Sequence, residues 1–344
     1  MYRTNLHREV HLNKILQAYY ESALTLKLPV TYVNEINSLH ICFGKENYYL
    51  LRGITHLNNA SSIFIANNKH ATKLLFEQEG ISVPKAVTIN KRKLQKYSLS
   101  NLIKKLRFPL VIKPMLNSHS GMDVVCNIKT YDDLSFQLEK ALQTSSDILV
   151  EEYHEGLKEY RVLLLKNRII GVVERFAPII EGDGQLTIEQ LMTQNEEFPQ
   201  INDDCQNCLT DQGLSLDSIP HKGQVVRVRY AVNRALGGQV AFVNKKINRE
   251  NAKYIRKAAQ ITGLDLVGLD LMCEHINHPF SKTKWFILEA NFPPDITLHE
   301  LPDDGKGIKI GKKVLIQLIL RHPFAYLYHR LKNIMSPTRG DSNG

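Results

Sequence analysis

Trp285-Phe286-Ile287-Leu288-Glu289-Ala290-Asn291, with Gly268-Leu269-Asp270-Leu271-Met272 just upstream, makes a pair of short apolar, β-prone runs that carry oxygen donors. In a strand, residues i and i+2 point to the same face, so Glu289 and Asn291 share one. If the strand holding Asp270 lies alongside, three hard oxygen donors converge. Such a set suits Mg²⁺, which takes one or two carboxylates and completes its shell with water and phosphate oxygens. Taken alone, the same residues read equally well as polar strand ends hydrogen-bonded to loops.

Phe108-Pro109-Leu110-Val111-Ile112-Lys113-Pro114 reads as a buried strand with a lysine where its apolar run ends. Burying an ammonium requires an anion beside it. Asn117-Ser118-His119-Ser120-Gly121-Met122 follows and leads into a strand over Val124 to Ile128. A strand–loop–strand of this kind can fold backbone N–H groups over phosphates, although clusters of Ser, Asn and Gly are mostly plain turns. Ile148 to His154 is a further strand with a polar end.

Composition narrows the function classes. A chain of 344 residues suffices for two or three packed subdomains. With 43% hydrophobic and 23% charged residues it is an ordinary globular sequence. No apolar run of about 18 residues and no secretory signal is visible, so a cytoplasmic protein without a membrane partner is expected. The five cysteines are scattered and odd in number, which fits reduced thiols. Cys205-Gln206-Asn207-Cys208 has zinc-ligand spacing but lacks a second pair to complete four ligands. The excess of 44 Lys+Arg over 35 Asp+Glu, a formal charge of +9, suits either nucleic acid or a cleft that gathers ATP and an anionic substrate. No long basic block or RNA-binding signature accompanies it, and nucleic acid is not expected.

In chain order, His11 to Lys27 has one apolar face of a helix. Leu28 to Val33, Ser38 to Phe43 and Tyr48 to Leu51 read as strands, so residues 1–67 form a small α/β lead-in. Asn67 or Asn68 caps a helix that Gly80 stops. Thr130 caps another. Glu159 to Leu165 and Ile169 to Val173 flank Lys166-Asn167-Arg168 as an antiparallel hairpin. A helix is expected over Thr187–Thr193, polar loop with at most one short helix over 194–222, and a strand from Val225 to Val232. Arg249 to Thr262 is a helix with Gly263 as its stop, Ile308–Leu320 a closing helix, and the polar tail from about Ser336 is expected to be disordered.

Asn68-Lys69…Lys73, Val111-Ile112-Lys113-Pro114, Leu149-Val150-Glu151-Glu152-Tyr153, Gly268-Leu269-Asp270 and Leu288-Glu289-Ala290-Asn291 together resemble the successive motifs of the ATP-grasp carboxylate–amine ligases. Within that superfamily the chain most resembles the ATP-grasp module of cyanophycin synthetases and bifunctional glutathione synthetases. Glu181 through Ile188, Leu216-Asp217-Ser218-Ile219-Pro220, and Arg229 through Gly237-Gly238 carry the finer match. Phe43-Gly44-Lys45 and Ser61-Ser62-Ile63 resemble the segment just before the core of those enzymes. The similarity covers about residues 38 to 324. No Mur-ligase-like or glutamate–cysteine ligase module accompanies it, so a free-standing ligase is expected, whose substrate need not be that of either relative.

The resemblance implies an α/β (α+β) architecture: a lead-in over 1–67, an ATP-grasp domain over 68–324 whose two α+β subdomains (68–150 and 151–324) grip ATP, and a tail over 325–344. It implies an ADP-forming ligase that phosphorylates a substrate carboxylate and passes the acyl group to an amine, on an amino acid or short peptide. ATP and Mg²⁺, or Mn²⁺ in its place, are the implied cofactors, with Asp270, Glu289 and Asn291 as metal ligands. Lys69 and Lys113 match the phosphate-binding lysines, and Ser120 and Gly121 the loop that covers them. Glu151 matches the acceptor of the adenine amino group, with backbone groups of Glu152 and His154 completing the hinge, and Glu159 the ribose-binding carboxylate. Arg161 and Arg229 are the candidates for steadying the transferred phosphoryl or the substrate carboxylate, since an Arg fork suits either anion. For His119 and His299 a structural hydrogen bond is the expectation, ahead of a base for the amine. Three departures stand out: Asn68 where relatives usually have Asp, no second glycine near Ser120, and Asp295 in place of a glycine. The rival readings are a catalytically silent module that binds nucleotide or an acidic polymer, and a small-molecule kinase. A homo-oligomer is compatible with all of them.

Overall fold

The computed structural model describes residues 12–43, 45–116, 123–194, 201–243 and 247–335. Ser120 and Gly121, the expected phosphate-covering loop, and His119 lie outside the described residues.

Asn13 caps helix α1 (Lys14–Thr25), accepting from the Leu16 N–H at 2.9 Å. Strands β1 (Val30–Val33), β2 (Ser38–Phe43) and β3 (Glu46–Leu51) follow as an antiparallel sheet. Helix α2 (Ala60–Asn67) was not foreseen from the sequence. Asn68 then caps α3 (Lys69–Gln78), and Gly80 takes the left-handed φ of +71° that ends it. Next come β4 (Ala86–Ile89), α4 (Lys91–Lys96), α5 (Leu99–Ile103), β5 (Leu110–Pro114), β6 (Val125–Ile128), α6 (Tyr131–Thr144) and β7 (Ile148–Glu152). Their strands form an antiparallel sheet in the order β4-β7-β5-β6.

The second half contains β8 (Lys158–Leu165), β9 (Arg168–Phe176), β10 (Ile179–Glu181), α7 (Ile188–Thr193), α8 (Asp203–Thr210), β11 (Val225–Arg227), β12 (Gln239–Phe242), α9 (Arg249–Thr262), β13 (Leu266–Cys273), β14 (Trp285–Asn291), α10 (Thr297–Glu300), α11 (Ile310–Arg321) and α12 (Pro323–Met335). A five-stranded antiparallel sheet runs β12-β9-β8-β13-β14, and β10 pairs with β11 alone. Two expectations change here: the strand from Val225 stops at Arg227, and the expected tail from 325 is helical to Met335. The short helix allowed within 194–222 is α8, with Cys205, Cys208 and Leu209 buried.

Side-chain alternation in β8 explains where the core ends and the cavity begins. Tyr160, Val162 and Leu164 pack on one face with Ile255, Ala258 and Ala259 of α9. Leu163 and Leu165 pack on the other with α1 and with Val314, Leu315 and Leu318 of α11. Arg161 and Glu159 continue that second face beyond the cover of α1 and α11. In β13, Leu266 is in the same core, while Asp270 on the same face is not. One face of the sheet is therefore apolar at one end and charged at the other.

Among the described residues, no helix is long and apolar enough to cross a membrane.

Candidate active site

The charged end of the five-stranded sheet opens on a cavity of about 910 Å³, within the ~300–1,000 Å³ usual for small-molecule sites. Lys113 and Glu151 from the four-stranded sheet line it from across, with Lys69 from the first turn of α3. Glu159, Arg161, Arg175, Asp270, Glu289, Asn291 and Asp295 complete its polar wall.

Register builds the charged row that faces the cavity. Arg161 on β8 lies opposite Asp270 on β13, and Asp270 lies opposite Glu289 on β14. Asn291 is paired with Gly268, whose missing side chain leaves room for Arg161: a Cβ there would sit 3.0 Å from Arg161 Cδ and 3.2 Å from Pro294 Cβ. Arg161 grips the Asp270 carboxylate at both oxygens, through Nε and, at 3.2 Å, Nη2. Arg175 Nη2 is 3.1 Å from Asp270 Oδ2 and 3.0 Å from Glu159 Oε2. Burial alone would raise the Asp270 pKa, but the two guanidiniums outweigh it and hold the group well below the usual carboxylate range. Glu159, more weakly compensated, is pushed up by burial.

Across the cavity, Lys113 and Lys73 both contact Glu151, the latter at 2.8 Å, and all three side chains are buried. Burial works against the Glu151 charge, yet the two ammoniums prevail and bring it down to about 2. The Lys113 pKa rises: burial opposes the charge, and Glu151 and Glu289 overcome it. Lys73 is lowered, because burial there exceeds the support from Glu151. Lys69 Nζ is 3.5 Å from Glu289 Oε2, so the two sides of the cavity touch electrostatically.

Asp270, Glu289, Asn291, Lys69, Lys113, Glu151, Glu159 and Arg161 thus meet around one cavity. Glu152 and His154 line it too, with side chains otherwise engaged: Glu152 Oε1 accepts from the Arg107 N–H at 3.0 Å, and the His154 ring stacks on Phe286 at 4.2 Å. The Glu151 carboxylate is engaged by a lysine on each oxygen, Lys113 on one and Lys73 on the other. Arg229 does not line the cavity. It is 1% exposed and donates from Nη1 to Asn202 Oδ1 at 3.0 Å. Arg227, two residues earlier at the end of β11, lines the cavity instead.

Two departures resolve into local structure. Asn68 accepts the Ala71 N–H at 3.0 Å, and Asn serves as well as Asp in that capping role. Asp295 Oδ1 accepts from the Thr297 N–H at 2.9 Å and its hydroxyl at 2.6 Å, closing the turn into α10. His299 is completely buried, and neither ring nitrogen has a hydrogen-bond partner among the described residues, contrary to expectation. Burial first, and then Arg161, bring it down to about 3, so it is neutral and unsuited to act as a base.

Lys73, part of the motif quoted above but given no role there, and Arg175 were not singled out as site residues. Lys73 lies one turn after Lys69 on α3, a spacing that places both on one face. Arg175 pairs with Glu159 only because of a bulge between Leu163 and Leu164. Regular pairing continued from the Lys166-Asn167 turn would have set Glu174 there instead.

The family model described as the D-Ala–D-Ala ligase C-terminus matches residues 75–187, about a third of the chain. Cyanophycin synthetase of Synechocystis sp. is 26% identical over 307 residues, 85% of this chain and 35% of that protein. The bifunctional glutathione biosynthesis protein of Desulfotalea psychrophila is 25% identical over 286 residues, 79% of this chain and 36% of that protein. The chain therefore spans about a third of the length of the curated relatives it matches. The crystal structure of a bifunctional glutathione synthetase from Pasteurella multocida superposes with a TM-score of 0.59 at 23% identity, over 90% of this chain and 44% of that one. The chain has the ATP-grasp fold and is similar, over most of its length, to the ATP-grasp ligases.

Proposed function

We propose that this chain is an ATP- and Mg²⁺-dependent ligase that joins a carboxylate to an amine, on an amino acid or a short peptide. The observation that carries the reading is the row Arg161–Asp270–Glu289 facing Lys69 and Lys113 across one cavity. Two carboxylates and an amide oxygen fit Mg²⁺, or Mn²⁺ in its place, since such ions take hard oxygen ligands and leave positions for phosphate. Asp270, Glu289 and Asn291 would hold the ion, which when bound would neutralise phosphate charge. Asp270 would first have to release one of the guanidiniums that now occupy both its oxygens. Lys69 and Lys113 would hold the nucleotide phosphates under Ser120 and Gly121, Glu159 the ribose, and the backbone at Glu152 and His154 the base.

Arg161, displaced from Asp270, would meet the substrate anion, with Arg175 retaining Glu159. Fixed cations are worth more in a water-excluded cleft than in solution, and exclusion of water also preserves an acyl phosphate until the amine arrives. The names of the relatives, a cyanophycin synthetase and a glutathione biosynthesis protein, support amide formation.

Incubation with ATP, Mg²⁺ and pools of amino acids should release ADP and phosphate only when an acceptor is present. Asp270→Asn should lower that rate at least ~100-fold, the order of loss when a charge-stabilising group is removed. Silence across broad pools would defeat the proposal. ADP release without an amide product would mark a kinase, and metal-independent nucleotide binding without turnover a silent binding module.

A further inference from the structure

Helix α12 presents a face that nothing else in the described chain covers. Phe324, Leu327, Tyr328, Leu331 and Met335 are between 51 and 86% exposed. At 3.6 residues per turn they fall within an arc of about 100°. The opposite face is seated: Ala325 and Tyr326 pack against the core shared with α1 and α11, and the Tyr326 hydroxyl donates to Leu26 O at 2.9 Å. The exposed arc is therefore held outward by a docked helix. A large exposed apolar patch marks an interaction site.

Charge narrows the partner. Arg330 and Lys332 flank the apolar arc on its two sides, and from Lys306 to Met335 the chain carries seven Lys or Arg and no Asp or Glu. Two copies facing each other through this arc would bring four like charges around a dry seam with no carboxylate from the segment to pair them. An anionic lipid surface meets both features at once: headgroups pair with the basic flanks and acyl chains take the apolar arc. We propose that α12 is an interfacial helix that seats this protein on anionic membrane surfaces. It lies on the bilayer and does not span it, which revises the expectation of no membrane contact. The proposal is independent of the ligase reading, because α12 contributes nothing to the cavity.

The test is co-sedimentation of the full chain with vesicles of phosphatidylcholine alone, or mixed with phosphatidylglycerol, at low and raised salt. Binding is expected only with phosphatidylglycerol and should weaken with salt. Arg330→Gln with Lys332→Gln should weaken it about thirtyfold, from ~1 kcal/mol per basic residue at an anionic surface. Leu327→Ser with Leu331→Ser keeps the net charge and should weaken it at least ~tenfold through lost apolar burial. Leu327, Leu331 and Lys332 are exposed and Arg330 is half-buried, and the thermal midpoint of each double variant should stay close to that of the parent. No binding to anionic vesicles overturns the proposal, as does full binding by the serine pair, which would assign attraction to overall charge. A dimer in equilibrium sedimentation that the serine pair dissolves would give the face to a second copy and overturn it equally.

Discussion

Glu151 holds Lys113 and Lys73 together in a buried cluster with one more positive than negative charge. Its pKa lies near 2 in the fold, against 4.5 for the free group. A carboxylate depressed in this way adds stability that is complete above pH 4.5 and drains away as pH falls towards 2. Glu151→Gln should therefore cost ~3–5 kcal/mol at neutral pH, because two buried ammoniums lose their counter-ion. Urea unfolding followed with pH should also show a flatter acid limb in the variant. An unchanged limb would mean that Glu151 is not the group that links folding to acid. At this scale the structure brings most of the expected residues to one cavity and gives them partners that the sequence did not show. Lys113 was expected to need an anion, and the anion turned out to be a residue to which resemblance had given another task.

Elements depend on capping and on close approaches. The caps at Asn13, Thr130 and Thr187 were readable or nearly so, because a short polar side chain before an apolar helical period satisfies N–H groups that have no partner within the helix. The turn through Glu181-Gly182-Asp183-Gly184 is a different case. Gly182 donates to Gln224 O at 2.8 Å and accepts from the Gly223 N–H at 2.8 Å. A Cβ on it would sit 2.7 Å from Pro220 O, a backbone atom that cannot swing aside. Gly182→Ala should destabilise the protein by ~1–3 kcal/mol, the usual range for overpacking, with a lower thermal midpoint as the readout. A neutral result would show that the 216–224 segment yields. The boundary error at β11, which ends early, comes from a segment too short to show a full period.

For the molecule as a whole, the joint between the four-stranded sheet and the segment from 203 to 231 shapes one wall of the cavity. Asp204, buried at the start of α8, accepts from the backbone N–H groups of Cys126 at 3.3 Å, Tyr230 at 3.0 Å and Ala231 at 3.3 Å. Asn127 adds a bond from Nδ2 to the Tyr230 hydroxyl at 2.9 Å, and Lys140 pairs with Asp203 at 2.7 Å. Asp204→Ala leaves three amides without an acceptor, at ~1–3 kcal/mol for each that stays buried. Hydrogen exchange should accelerate at β6 and at Tyr230 and Ala231 before it does in β8 or β13. Uniform acceleration would mean that Asp204 supports the whole fold and not this joint.

By itself the sequence determined the fold class, most of the strands and helices, and many of the residue types that meet at the cavity, because period, caps and motif order are local properties. Only the tertiary structure decided the pairings. A bulge in the β8–β9 hairpin sets Arg175 opposite Glu159, and another after Asp270 sets that residue opposite Glu289. One residue of slip moves every later side chain to the other face, and no local signal in the chain reports where that slip occurs. The outward face of α12 belongs with these, since its period is local but its exposure depends on what the rest of the chain leaves uncovered.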